Sequence, residues 1–221
     1  MNSNPIHLSG RAFRWLGTQL MKRGGADNVW IDVGVCRGEA TLSDARHDPN
    51  LRVFAFEPNL RLASKLIGAA SNYFIIPMAV AERDGTATFY LNEFEMAGSL
   101  LPLNEDALQT WVGVQNHKIQ GTVIVPTIRL DTFMDLVGLE RIDFLKIDAQ
   151  GMDLCVIRSA GRKLRNIARI TLEVAVAPVA LYKGAPSKGE VMNFLKDAGF
   201  ALERTERQTH GQEENLTFVR S

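Results

Sequence analysis

The sequence predicts an α/β fold of the doubly wound type, a mostly parallel sheet with helices on both faces. Three observations predict it. Apolar, β-branched runs of strand length alternate with helical stretches from Val29 onward. The first run, Val29-Trp30-Ile31-Asp32-Val33, passes straight into the loop Gly34-Val35-Cys36-Arg37-Gly38 and then into helix-like Glu39-Ala40-Thr41-Leu42. That order is the opening half of a βαβ unit. Twenty-five positions after Asp32, a second apolar run, Val53 to Phe56, ends at Glu57-Pro58. An acid at the tip of the second strand is where such folds hold the hydroxyls of a ribose.

The elements follow in order. Phe13, Leu16 and Leu20 recur at helical spacing, so Gly10 to Lys22 is expected to be a helix, stopped by Gly24-Gly25. After the first strand and its loop comes a short helix that breaks near Asp48-Pro49-Asn50. The second strand leads to a helix from Asn59, a suitable N-cap, to Ile67. Tyr73 to Ile76 is a third strand. Ala81 to Gly85 is a turn, and Thr86 to Leu91 and Val123 to Ile128 form an added antiparallel ribbon. The connection between them, Asn92 to Thr122, is too long for a plain loop in a compact domain and is expected to be a substrate lid.

Asp131 to Leu136 is helical, Ile142 to Asp148 is a buried strand ending in an acid, and a helix runs from Gly151 through Ala160. Ile167 to Val174 is a strand, Ser187 to Ala198 a helix, and Phe200 to Glu203 with Leu216 to Arg220 an antiparallel pair. No linker interrupts the chain, so residues 1–221 are expected to be one domain with a helical extension over 1–25.

Composition narrows the partners. The 221 residues are 46% hydrophobic and 23% charged, with 25 basic and 25 acidic side chains balancing to zero. No basic run supplies the electrostatic footprint of nucleic-acid binding. No apolar stretch is long enough to span a bilayer, and Met1 to Gly10 lacks the plan of a signal peptide, so a cytoplasmic protein is expected. Two cysteines, Cys36 and Cys155, make no disulfide framework, and no Cys/His spacing suggests a metal site.

The loop separates two cofactors. A dinucleotide needs Gly-x-Gly-x-x-Gly so that backbone can approach a pyrophosphate. Here the pattern is Asp-x-Gly-x-x-x-Gly, with an acid, Asp32, where a phosphate would be repelled. S-adenosylmethionine has a ribose and an adenine, no pyrophosphate, and a cationic sulfonium and amino group, and it suits this pairing of Asp32 and Glu57. A nicotinamide-dependent oxidoreductase and a noncatalytic cofactor-binding module are the alternatives.

Several segments together resemble the FkbM-type family of S-adenosylmethionine-dependent methyltransferases. They are Ile31-Asp32-Val33-Gly34 with Gly38, Phe56-Glu57-Pro58, Ala79 to Gly85, Leu130-Asp131-Thr132, Ile142 to Gly151, Leu181 to Gly184, and Leu216 to Arg220. The resemblance implies a seven-stranded class I methyltransferase (Rossmann-like) sheet with the last strand inserted antiparallel. It implies O-methyl transfer to a small molecule, a sugar or glycan or a polyketide-type hydroxyl. It puts Asp32, Gly34, Val35, Gly38, Glu57, Ala79 and Asp148 in the cofactor set. Two positions depart from the family pattern: Val35-Cys36 stands in place of Ala-Asn, and Gln150 in place of an acid.

An alcohol becomes a nucleophile when a base takes its proton as the new bond forms. Asp148, at a strand tip facing the ligand crevice, is the first candidate; its alternative role is to cap the next helix. Lys146 shares a strand face with Asp148 and either acts beside it or pairs a neighbouring carboxylate. Glu173, inside an apolar strand, belongs to the pocket or to an ion pair. His117, in the expected lid, is a base or an exposed loop residue. Asp32 and Glu57 hold cofactor, or they cap or pair with Arg37 or Arg52. Trp111 stacks on substrate or anchors the lid.

Overall fold

The computed structural model describes residues 28–114 and 117–221. The helix expected over Gly10 to Lys22, and the 1–25 extension, lie outside them. In chain order the elements are β1 (Asn28–Val33), α1 (Leu42–His47), β2 (Leu51–Phe56), α2 (Leu60–Leu66), β3 (Tyr73–Ile76), β4 (Ala79–Val80), β5 (Gly85–Asn92), α3 (Glu105–Thr110) and β6 (Ile119–Ile128). Then come α4 (Leu130–Val137), β7 (Ile142–Ile147), α5 (Asp153–Ser159), β8 (Ile167–Ala175), α6 (Lys188–Asp197), β9 (Phe200–Gln208) and β10 (Glu213–Arg220).

Seven strands form the main sheet in the order β3-β2-β1-β7-β8-β10-β9. β1, β2, β3, β7 and β8 run parallel, and β10 enters antiparallel between β8 and β9. All six residues of β2 are buried, as the uninterrupted apolar run requires of a strand covered on both faces. Phe54 and Phe56 pack edge-on against Phe133 of α4, with ring centroids 5.3 and 4.9 Å apart. The helix boundaries have local causes. Asn59 accepts from the Arg61 N–H at 3.1 Å and starts α2, and Ser187 with Glu190 makes a capping box on α6. Gly138 and Gly199, at φ 72° and 82°, turn the chain out of α4 and α6.

The added ribbon is a three-stranded sheet in the order β4-β6-β5, because Ala79–Val80 pairs parallel with β6 beside the antiparallel β5. β6 begins at Ile119, so the connection expected over 92–122 is shorter than the sequence suggests. It is also ordered. Residues 95–97 form a 3-10 turn, and α3 follows an Asn104 cap. Leu103, Ala107, Trp111 and Val114 bury themselves against Leu181 and Tyr182 in a small apolar cluster of their own. Trp111 is 3% exposed, and its indole N–H donates to the Val179 carbonyl at 2.7 Å, so it anchors this connection. The Gln212 side chain fixes the end of this segment from the β9–β10 turn, accepting from Val112 N–H at 2.7 Å and donating to Val112 O at 3.1 Å.

Candidate functional site

The carboxyl ends of β1, β2, β7 and β8 bring Gly34, Glu57, Asp148 and Glu173 to one edge of the sheet, where parallel α/β folds bind ligands. Gly34 sits at φ 79°, and a Cβ there would lie 1.9 Å from the Asp148 carbonyl oxygen. Only glycine lets the two chain crossings approach this closely. The Asp148 N–H donates to Val33 O at 2.9 Å, tying the loop after β7 to the end of β1.

Glu57 is 4% exposed. Its Oε2 accepts from the Cys36 N–H at 2.9 Å and its Oε1 from the Asn59 N–H at 2.8 Å. Burial pushes the carboxyl up to about 7, against the pull of those two donors. Each oxygen keeps an acceptor lone pair, and the residue lines a cleft of about 540 Å³ that includes open solvent.

That cleft has an apolar wall of Phe56, Met78, Ala79, Val80, Phe89 and Met152, with the Gly34 loop at its base. Three acids line it, Glu57, Glu95 and Asp148, and among the described residues no Lys, Arg or His does. At its mouth Arg37, Arg61 and Lys65 converge from outside on Glu95, at 3.4, 3.3 and 3.9 Å. Glu57 offers acceptor oxygens beside this apolar wall. A pyrophosphate, lacking a cation in the lining, does not fit this space.

The expected cofactor set divides. Gly34, Glu57, Ala79 and Asp148 line the cleft; Asp32, Val35 and Gly38 lie beneath it. Asp32 is fully buried, accepts from Thr41 Oγ1 at 2.6 Å and stands 3.4 Å from Lys146 Nζ. Its other oxygen therefore has an ion-pair contact but no hydrogen bond. Burial raises the Asp32 carboxyl, and Lys146 works against that. Burial would lower the Lys146 ammonium, but Asp32 and Asp148 outweigh it and leave it raised. The pair braces the loop from below. Val35 packs in the cluster with Leu42 and Val53, and Gly38 meets Leu42 and Leu66.

A second space, about 910 Å³ including open solvent, adjoins the first and shares Cys36, Met96, Asp148 and Gln150 with it. His117, Glu173, His210 and Glu213 line it. Three of the four expected catalytic residues, Asp148, His117 and Glu173, thus face one chamber; Lys146 stays below it. Burial lowers the His117 imidazole, and its Nδ1 has no hydrogen-bond partner. Burial, then Asp148 and Glu213, push the Glu173 carboxyl up to about 9, which keeps it protonated at neutral pH. Cys36 is held at about 11 by burial and stays a thiol. Asp148 does not cap α5, whose N-cap is Met152 with no side-chain bond.

Sequence reasoning missed this connection's share of the walls. Met96, Gly98, Ser99 and Leu100 line the cleft, and their only signal was the length of the connection. It also missed the β9–β10 turn, whose Thr209, His210 and Glu213 close the chamber.

The chain is similar to several known proteins. A family profile described as the methyltransferase FkbM domain matches residues 32–202. The 2-O-methyltransferase NoeI of Sinorhizobium fredii is 29% identical over 180 residues, 76% of this chain and 71% of that protein. The AMB antimetabolite synthetase AmbE of Pseudomonas aeruginosa is 28% identical over 177 residues, which is 67% of this chain but 8% of that protein. Among solved structures, a precorrin-6y C5,15-methyltransferase from Geobacter metallireducens has a TM-score of 0.49 at 15% identity, covering 100% of this chain and 94% of that one.

Proposed function

We propose, from the premise that this chain belongs to the FkbM methyltransferase family, that it methylates a hydroxyl of a sugar or glycan-type small molecule. The observation that carries this reading is the junction of two spaces at Asp148. One is an acid-lined cleft without a basic side chain, and the other a chamber faced by His117 and Glu173.

The cofactor is S-adenosylmethionine, which supplies a methyl group on a sulfonium that is its own leaving group. Glu57 and the Gly34 loop would hold its sugar, and Phe56, Met78 and Ala79 its base. Asp148, common to both spaces, accepts the hydroxyl proton as the bond to carbon forms. Glu173, protonated, donates a hydrogen bond to an oxygen of the acceptor, and His117 Nδ1, which has no partner, supplies a second polar contact. The lid excludes water, which would otherwise solvate the nucleophile. NoeI, named for 2-O-methyl transfer, supports oxygen as the receiving atom. The acids of the cleft argue against a nicotinamide dinucleotide.

Incubation with methyl-labelled S-adenosylmethionine and a panel of oligosaccharides and polyketide-type alcohols tests the proposal. Label should enter an oligosaccharide with a free hydroxyl, and Asp148→Asn should abolish the transfer. Transfer only to amine or thiol acceptors, or full activity of the variant, would contradict it.

A further inference from the structure

Gln150 precedes Gly151 just beyond the end of β7, and it lines both spaces where they join. Its Nε2 donates to Asp148 Oδ1 at 2.6 Å. Its Oε1 lies 2.6 Å from the Tyr182 hydroxyl, which is also 3.1 Å from the Ala97 carbonyl oxygen. A hydroxyl has one proton, and an amide oxygen can only accept. At 2.6 Å the proton must therefore lie toward Gln150, since two oxygens without it would repel.

The Asp148 contact fixes the amide: flipped, it would set its oxygen against a carboxylate oxygen. Tyr182 keeps its proton to donate, because burial, with Glu213 and Asp148 adding to it, holds its hydroxyl well above the ordinary range. The backbone is held as well. Gln150 is at φ 51°, a region that costs a non-glycine residue energy, and Ser99 Oγ donates to its carbonyl at 2.7 Å. The other Asp148 oxygen, Oδ2, stands 3.6 Å from Lys146 Nζ.

We propose that Tyr182 and Gln150 are positioning residues, a two-link chain that aims the Asp148 carboxylate at the cationic centre of the bound cofactor. Neither needs to touch that centre, and Tyr182 lines neither the cleft nor the chamber. An acid at position 150 would remove the donor and set two carboxyls side by side. The proposal rests on the cofactor reading above and adds to it a use for the Gln150 departure.

The test needs no acceptor. Two probes share the adenosyl and amino-acid parts and differ at the reacting centre: S-adenosylhomocysteine has a neutral thioether, and sinefungin has an ammonium on carbon. Isothermal titration gives the ratio of their dissociation constants for wild type, Tyr182→Phe, Gln150→Leu and the double variant. The expected result is that each single variant shifts the ratio against sinefungin by about tenfold, the size of one hydrogen bond to a charged group. The double variant should shift it no further than Gln150→Leu alone, because the two act in series. Equal weakening of both probes, an unmoved ratio, or additive losses would overturn the proposal. If wild type binds neither probe, the cofactor reading itself fails, and this one falls with it.

Discussion

Glu173 is a strand residue in a run of apolar ones, and its environment decides its chemistry. Burial and the charges of Asp148 and Glu213 hold its carboxyl near 9, and burial holds Glu57 and Asp153 near 7. A carboxyl raised in the fold keeps its proton where the unfolded chain has lost it. The folded state then binds more protons, so stability is full below the unfolded value and falls as pH rises through the folded one. The melting temperature should therefore decline from about pH 5 to about pH 9, with Glu57, Asp153 and Glu173 all contributing in the lower half and Glu173 alone of the three in the upper. In Glu173→Gln, thermal melts should show a flatter curve above neutrality. A variant with the same slope there as wild type would refute the assignment.

The connection between β5 and β6 has a core of its own among its described residues. Trp111 joins Leu103, Ala107, Leu181 and Tyr182 in a cluster separate from the sheet's main core. Trp111→Ala should loosen this cluster without unfolding the sheet, since local units open independently of the global fold. Hydrogen exchange should speed up in the segments around 101–114 and 179–183 and stay slow in β1 and β7. Faster exchange in β1 and β7 would show that this connection and the sheet unfold together.

The same contrast explains what the sequence could reveal. β2 is an apolar run buried throughout, and β1, β3, β7 and β8 are mostly apolar and at least half-buried at nearly every residue, so their composition announces them. β9 reads Phe-Ala-Leu-Glu-Arg-Thr-Glu-Arg-Gln and is exposed from its second residue on. It holds its place at the sheet edge through backbone pairing with β10, which leaves no apolar period to read. α3 has six residues and one buried side chain, too little for a helical pattern. At the site, the place of Glu57 at the cleft was legible because it ends an apolar strand. The burial of Asp32 was not, because the sequence does not say which way a side chain at a strand end turns. The Tyr182–Gln150–Asp148 chain joins residues 32 apart and depends on the docking of the β5–β6 connection, which no local spacing encodes.

At the scale of the molecule, one end of the sheet gathers the acids, and the fold makes that arrangement tolerable. Asp32, Asp148 and Glu173 would repel one another if all were ionised and unpaired. Lys146 neutralises two of them from below, and protonation relieves the third. What remains is a cleft hospitable to a cation and to hydroxyls and hostile to phosphate. No helix among the described residues is long and apolar enough to cross a membrane. Titration of S-adenosylhomocysteine into wild type and Glu57→Ala tests this most directly. The account predicts binding by the wild type and a dissociation constant raised about tenfold or more in the variant, from the loss of hydrogen bonds at a buried carboxylate. Equal affinity of the two proteins, or binding of NAD in place of the thioether, would contradict it.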